Sequence, residues 1–68
     1  MIPKLKNNQI DVKQSLIDNI QAEKNAIYTY RLIEEQTRNG DIITNDKIKH
    51  ILIDETEHLQ ELEDLLND

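Results

Sequence analysis

The sequence predicts an all-α protein: an antiparallel two-helix hairpin that associates with a second copy into a four-helix bundle. Three observations carry this expectation. Two stretches repeat apolar residues at alternating spacings of four and three, the spacing that lines one face of an α-helix. Asn39-Gly40 falls between them, where the chain must turn. The 68 residues contain one Gly, one Pro and two aromatic residues, with much Ile, Leu, Glu, Lys and Asp, a composition suited to helices.

Residues 1–9 read as a loosely packed N-terminal tail, because Pro3 and Asn7-Asn8 interrupt the periodicity. The hairpin then occupies 10–68. Helix 1 is expected over about 11–38, with Asp11 as N-cap because its carboxylate accepts from free N–H groups of the first turn. Gly40 is expected to end it in the left-handed region, which costs glycine least. A turn over 39–44 leads to helix 2, about 45–66. Thr44 or Asn45 would cap it, and Asp46 would favour the positive end of its dipole.

The seam of helix 1 is Leu16, Ile20, Glu23, Ile27, Tyr30 and Glu34; that of helix 2 is Ile48, Leu52, Glu55, Leu59, Leu62 and Leu66. A short turn between long helices makes an antiparallel hairpin. Two helices cannot enclose both seams, and Ile17, Tyr28, Leu32 and Ile53 lie off the main seam as well. A second copy covers them most simply. A domain this small buries a limited core and commonly needs a metal, disulfides or a partner.

The chain has no cysteine, which excludes disulfides and thiolate metal sites. Its net charge of −6 argues against non-specific nucleic-acid binding and against docking on an anionic membrane. No apolar run approaches the ~18 residues of a spanning helix. No apolar segment follows Lys4 and Lys6, so no secretory leader is expected. A cytoplasmic location fits these features.

Two positions break the apolar seam with the same anomaly. Glu23 and Glu55 stand where Leu or Ile is called for, and a carboxylate there is unfavourable unless paired or bound to a metal. Glu55 also opens Glu55-Thr56-Glu57-His58, which places a carboxylate and an imidazole three residues apart on one face of a helix. Glu23 lies 17 residues before Gly40 and Glu55 lies 15 after it. Both helices rise ~1.5 Å per residue, so the two carboxylates stand at nearly one height. His58 lies about one turn further from the loop, beside the seam on a row with Ile51 and Leu65. One hairpin thus presents two carboxylates and one imidazole. A two-fold axis doubles them to a set that suits two iron ions, with Mn and Zn tolerated.

These residues resemble the ferritin-like di-iron superfamily, whose ligands are a Glu from each of two helices and Glu-x-x-His from each of two others. The resemblance is closest to the encapsulated-ferritin group of short two-helix chains. It covers roughly residues 14–66 and rests on Glu23-Lys24-Asn25-Ala26-Ile27-Tyr28-Thr29-Tyr30 and Asp54-Glu55-Thr56-Glu57-His58. It implies Glu23, Glu55 and His58 as ligands of two iron ions at a dimer interface. Tyr30 would lie beside or weakly on the metal, and Asp54 would accept a hydrogen bond that orients a ligand imidazole. It implies ferroxidase activity with oxygen or peroxide, in iron storage or detoxification, and a surrounding shell protein as partner. No shell-targeting extension is expected beyond Asn67-Asp68.

Other assignments compete for the same residues. Tyr30 on the seam is equally a core residue, and Asp54 a surface acid. Glu34 and Glu61 either guide ions inward or are solvated; Glu57 and Glu63 read as surface charge. Leu32 and Ile53 read as packing or subunit contacts. His50, Asp54 and His58 form a second row that suits adventitious zinc or nickel. A metal-free helical module that binds a partner's helices is the main rival function. Another is a dimer pinned by structural zinc or calcium.

Overall fold

The computed structural model describes residues 2–68, with side chains from Asp11 onward. Two helices, α1 (Ile2–Thr37, 36 residues) and α2 (Ile42–Asn67, 26 residues), pack against each other as a hairpin. No helix among the described residues is long and apolar enough to cross a membrane.

The expected seams are the ones that pack. Ile20, Ile27 and Ile48 are buried, and Leu16, Tyr30, Leu52, Leu59, Leu62 and Leu66 are half-buried. Every seam position of both helices is at least partly covered, including Glu23, Glu34 and Glu55. The four apolar residues placed off the seam stay in solvent: Ile17, Tyr28, Leu32 and Ile53 are 41%, 66%, 40% and 60% exposed. A core of three buried apolar side chains among the described residues is small for 68 residues.

The helix ends differ from the sequence-based expectation, each for a local reason. The first helix begins at Ile2, well before Asp11. Pro3 therefore falls in the first turn, where its missing N–H breaks no intrahelical bond, and the segment set apart as a tail is helical from Ile2. The second helix is capped by Asp41, ahead of Thr44 and Asn45. The Asp41 carboxylate accepts from the Thr44 N–H at 3.1 Å and from the Thr44 hydroxyl at 2.6 Å. Asp46 consequently lies beyond the first turn, and no acidic residue stands inside it. Gly40 does not adopt a positive φ. Its N–H donates to the Thr37 carbonyl at 3.2 Å, and the Ile42 N–H donates to the Gly40 carbonyl at 3.1 Å, so the turn closes without the left-handed conformation.

Asn45, freed from capping, is the most buried polar residue described, at 5% exposure. Its side-chain amide crosses to α1 and donates to the Glu34 carbonyl (2.8 Å), the Glu34 carboxylate (3.0 Å) and the Thr37 hydroxyl (3.2 Å).

Candidate metal centre

Glu23, Glu55 and His58 meet between the helices. Each offers one ligand atom, and these atoms all lie within 4.8 Å of one another. The trio is the one such group of His, Asp and Glu among the described residues. The seam explains the meeting: Glu23 follows Ile20 by three residues and precedes Ile27 by four, so burying the isoleucines turns its carboxylate inward. Glu55 stands in the same relation to Leu52 and Leu59.

The three differ in exposure. The Glu23 side chain is 16% exposed and the His58 ring 53%. His58 Nδ1 approaches Glu23 Oε2 at 2.9 Å, a contact between residues 35 apart in sequence. Burial pushes the Glu55 carboxyl above the usual carboxylate range; the Glu23 charge and a hydrogen bond to the Glu23 carboxylate push it further, against a smaller opposing effect of His58. Two acids thus share one space and repel, which is the electrostatic condition a cation relieves.

The remaining expected residues divide. Tyr30 is half-buried on the seam and makes no hydrogen bond to the trio among the described residues. Asp54 is exposed and is not the acceptor for His58, whose Nδ1 turns to Glu23 instead. Asp54 does add negative potential that raises Glu55. The row of His50, Asp54 and His58 does not converge: His50 faces Asp46 at 3.7 Å, both fully in solvent reach. Glu34 is held at the loop end by two bonds from Arg38 (2.9 and 2.6 Å) and by Asn45. Those bonds lower its carboxyl to about 2, the Arg38 bond most. Its carboxylate is thereby tied to the turn between the helices. Glu61 and Glu57 are exposed, whereas Glu63 is half-buried and faces Lys24 at 3.9 Å.

Asn45 was not among the candidate residues, although its signal was present. Counting back three from Ile48 reaches Asn45, so the four-three seam continues onto it.

No protein-family model, curated protein or solved structure matches the chain.

Proposed function

We propose that this chain is a ferritin-like di-iron protein that oxidises Fe(II), with each metal centre completed where two hairpins meet. The convergence of the Glu23, Glu55 and His58 ligand atoms within 4.8 Å carries the reading.

The donor chemistry fits. Carboxylate oxygens are hard ligands able to bridge two ions, and imidazole suits iron. The two carboxylates of one hairpin balance one divalent cation, and a pair of hairpins balances two. One hairpin offers three donors, fewer than iron takes, so a second copy supplies the rest. Fe(II) held there as substrate would supply one electron per ion, two ions together reducing oxygen to hydrogen peroxide, or peroxide to water, with two protons taken from solvent.

The chain's own residues bind and tune. Glu23 and Glu55 place negative charge where positive charge rises, which favours the oxidised product. His58 Nδ1 is the ring nitrogen turned toward Glu23. Ligation through it requires the neutral tautomer with the proton on Nε2. Ile20, Ile27 and Ile48 hold the two helix faces together around the carboxylates and limit water between them. Removal of Fe(II) in this way serves storage or detoxification in the cytoplasm, with a shell protein as a candidate container for the product.

The test is anaerobic titration with Fe(II), followed by oxygen uptake on admission of air. The expected result is one Fe(II) per chain, oxygen consumption, and loss of both in Glu55→Ala. Tight metal binding without oxygen uptake would assign a structural pin. Unchanged melting temperature and mass on adding Fe(II) would favour a metal-free interaction module.

A further inference from the structure

Glu23 and Glu55 can share a cation only if the helices stand in one register, and the apolar seam does not fix that register by itself. Ile20 and Ile27 on α1 and Leu52 and Leu59 on α2 repeat every seven residues. The seams as a whole alternate by four and three, so a one-turn slide still leaves each seam position within one residue of a seam position on the other helix. The turn does not fix it either. Asp41, Thr44 and Asn45 are all cap-forming residues. Starting α2 from Thr44 or Asn45 in place of Asp41 moves the centre of the turn along the chain. A two-residue move of that centre changes the pairing across the hairpin by four residues.

We infer that the Asn45–Glu34–Thr37 clasp is the element that selects the register and thereby levels the two carboxylates. Asn45 is at once a competitor for the cap and the buried amide that crosses to α1. With its amide N–H groups directed to Glu34 and Thr37, the Asn45 side chain points across to α1, and its own backbone N–H donates to the Asp41 carbonyl at 2.9 Å inside the helix that Asp41 caps. The arithmetic ties the clasp to the site. Glu34 pairs with Asn45, Glu23 lies 11 residues before Glu34, and Glu55 lies 10 after Asn45. The pairing therefore reaches the site one residue from level, about 1.5 Å. A four-residue change would bring Gln60 to the height of Glu23 where Thr56 now stands, and carry Glu55 about one turn away. A single buried Asn on a helical seam is known to act on register at some expense of stability. Asn45 is thus a positioning residue; it touches none of the three ligands.

This inference rests on the proposed metal centre, and the experiment separates the two. Gln36→Cys and Gln60→Cys, both exposed in a chain without other cysteine, carry spin labels whose separation runs largely along the helix axes. Slippage by one turn moves α2 by about 5.4 Å. The labelled parent is expected to give one distance. Asn45→Leu is expected to give two, with melting temperature equal or higher and affinity for Co(II) at least tenfold lower. Asn45→Gln, which keeps the amide, is expected to restore the single distance and most of the affinity. Asn45→Ala removes the amide without adding bulk and is expected to behave as Asn45→Leu, which covers the case of a leucine that does not pack. A single, unchanged distance in Asn45→Ala overturns the inference, whatever the metal does. A split distance in a protein whose parent form binds no Co(II) leaves the clasp standing as the register device and removes the metal centre.

Discussion

At the scale of single residues, two glutamates, one on the seam of each helix, are pushed in opposite directions. Glu34 has its charge satisfied by Arg38 and Asn45, and its carboxyl falls from 4.5 to about 2. Its folded value lies below its unfolded one, so its stabilising effect is complete above pH 4.5 and is lost as the pH falls toward 2. Glu55 is raised by burial and by the Glu23 charge. Its folded value lies above its unfolded one, so stability is lost as the pH rises from the ordinary carboxylate range through that folded value. Melting curves from pH 2 to pH 7 on the metal-free protein separate the two. Glu34→Gln is expected to lose less melting temperature than the parent between pH 5 and pH 2. Glu55→Gln is expected to melt above the parent at pH 7 and level with it near pH 4, while binding no divalent metal. A glutamate whose replacement stabilises the empty protein and abolishes metal binding is held in place for binding. His58 makes a complementary case. Its ring is half in solvent, so His58→Ala is expected to leave the melting temperature within a few degrees and to weaken Co(II) binding at least about tenfold.

At the scale of elements, the sequence disclosed the helix faces far better than the helix ends. A face is set by many residues at once: a dozen seam positions had to agree, and covering Ile20 and Ile27 on α1 and Leu52 and Leu59 on α2 fixes the rotation of what lies between them, Glu23 and Glu55 included. An end is decided by one or two hydrogen bonds among near-equivalent donors. Asp41, Thr44 and Asn45 lie within five residues, and the choice fell to Asp41 because Asn45 has a better use against α1. Pro3 read as a break although a first turn accepts it, and Gly40 read as left-handed although the turn closes otherwise. Asp54 was placed by a local pattern, but its direction on the helix carries it into solvent. These ends are testable. Asp41→Ala is expected to lower the melting temperature by roughly 4–8 °C, the effect of losing an N-cap in a domain of this size. Gly40 has no positive φ, and an added Cβ would meet nothing within 4 Å. Gly40→Ala is therefore expected to stabilise by about 0.4–1 kcal/mol in chemical denaturation, because it restricts the unfolded chain without straining the folded one. A glycine needed in the left-handed region would destabilise instead.

At the scale of the whole molecule, the hairpin leaves apolar side chains uncovered on both flanks, and the proposed metal centre distinguishes one flank from the other. His58 shares its helical row with Ile51 and Leu65, seven residues to either side, and these are 37% and 61% exposed. Ile53 lies on the other flank, beside Arg31 and Thr56. If a second hairpin completes the metal centre, it must approach over the row that carries His58. Covering a leucine or isoleucine there is worth about 1.5–3 kcal/mol per side chain, whereas a lysine in the same place must either be buried charged or hold the partner off. Leu65→Lys, on an exposed residue, leaves the hairpin itself intact. It is expected to keep the helical content of the parent and to abolish the doubling of mass that Co(II) or Fe(II) is expected to produce in the parent, as read by sedimentation. Ile53→Lys, on the opposite flank, is expected to leave the metal-dependent doubling unchanged. If the effects of the two variants were reversed, the partner would sit on the flank away from His58, and the ligands of one hairpin would have to serve alone.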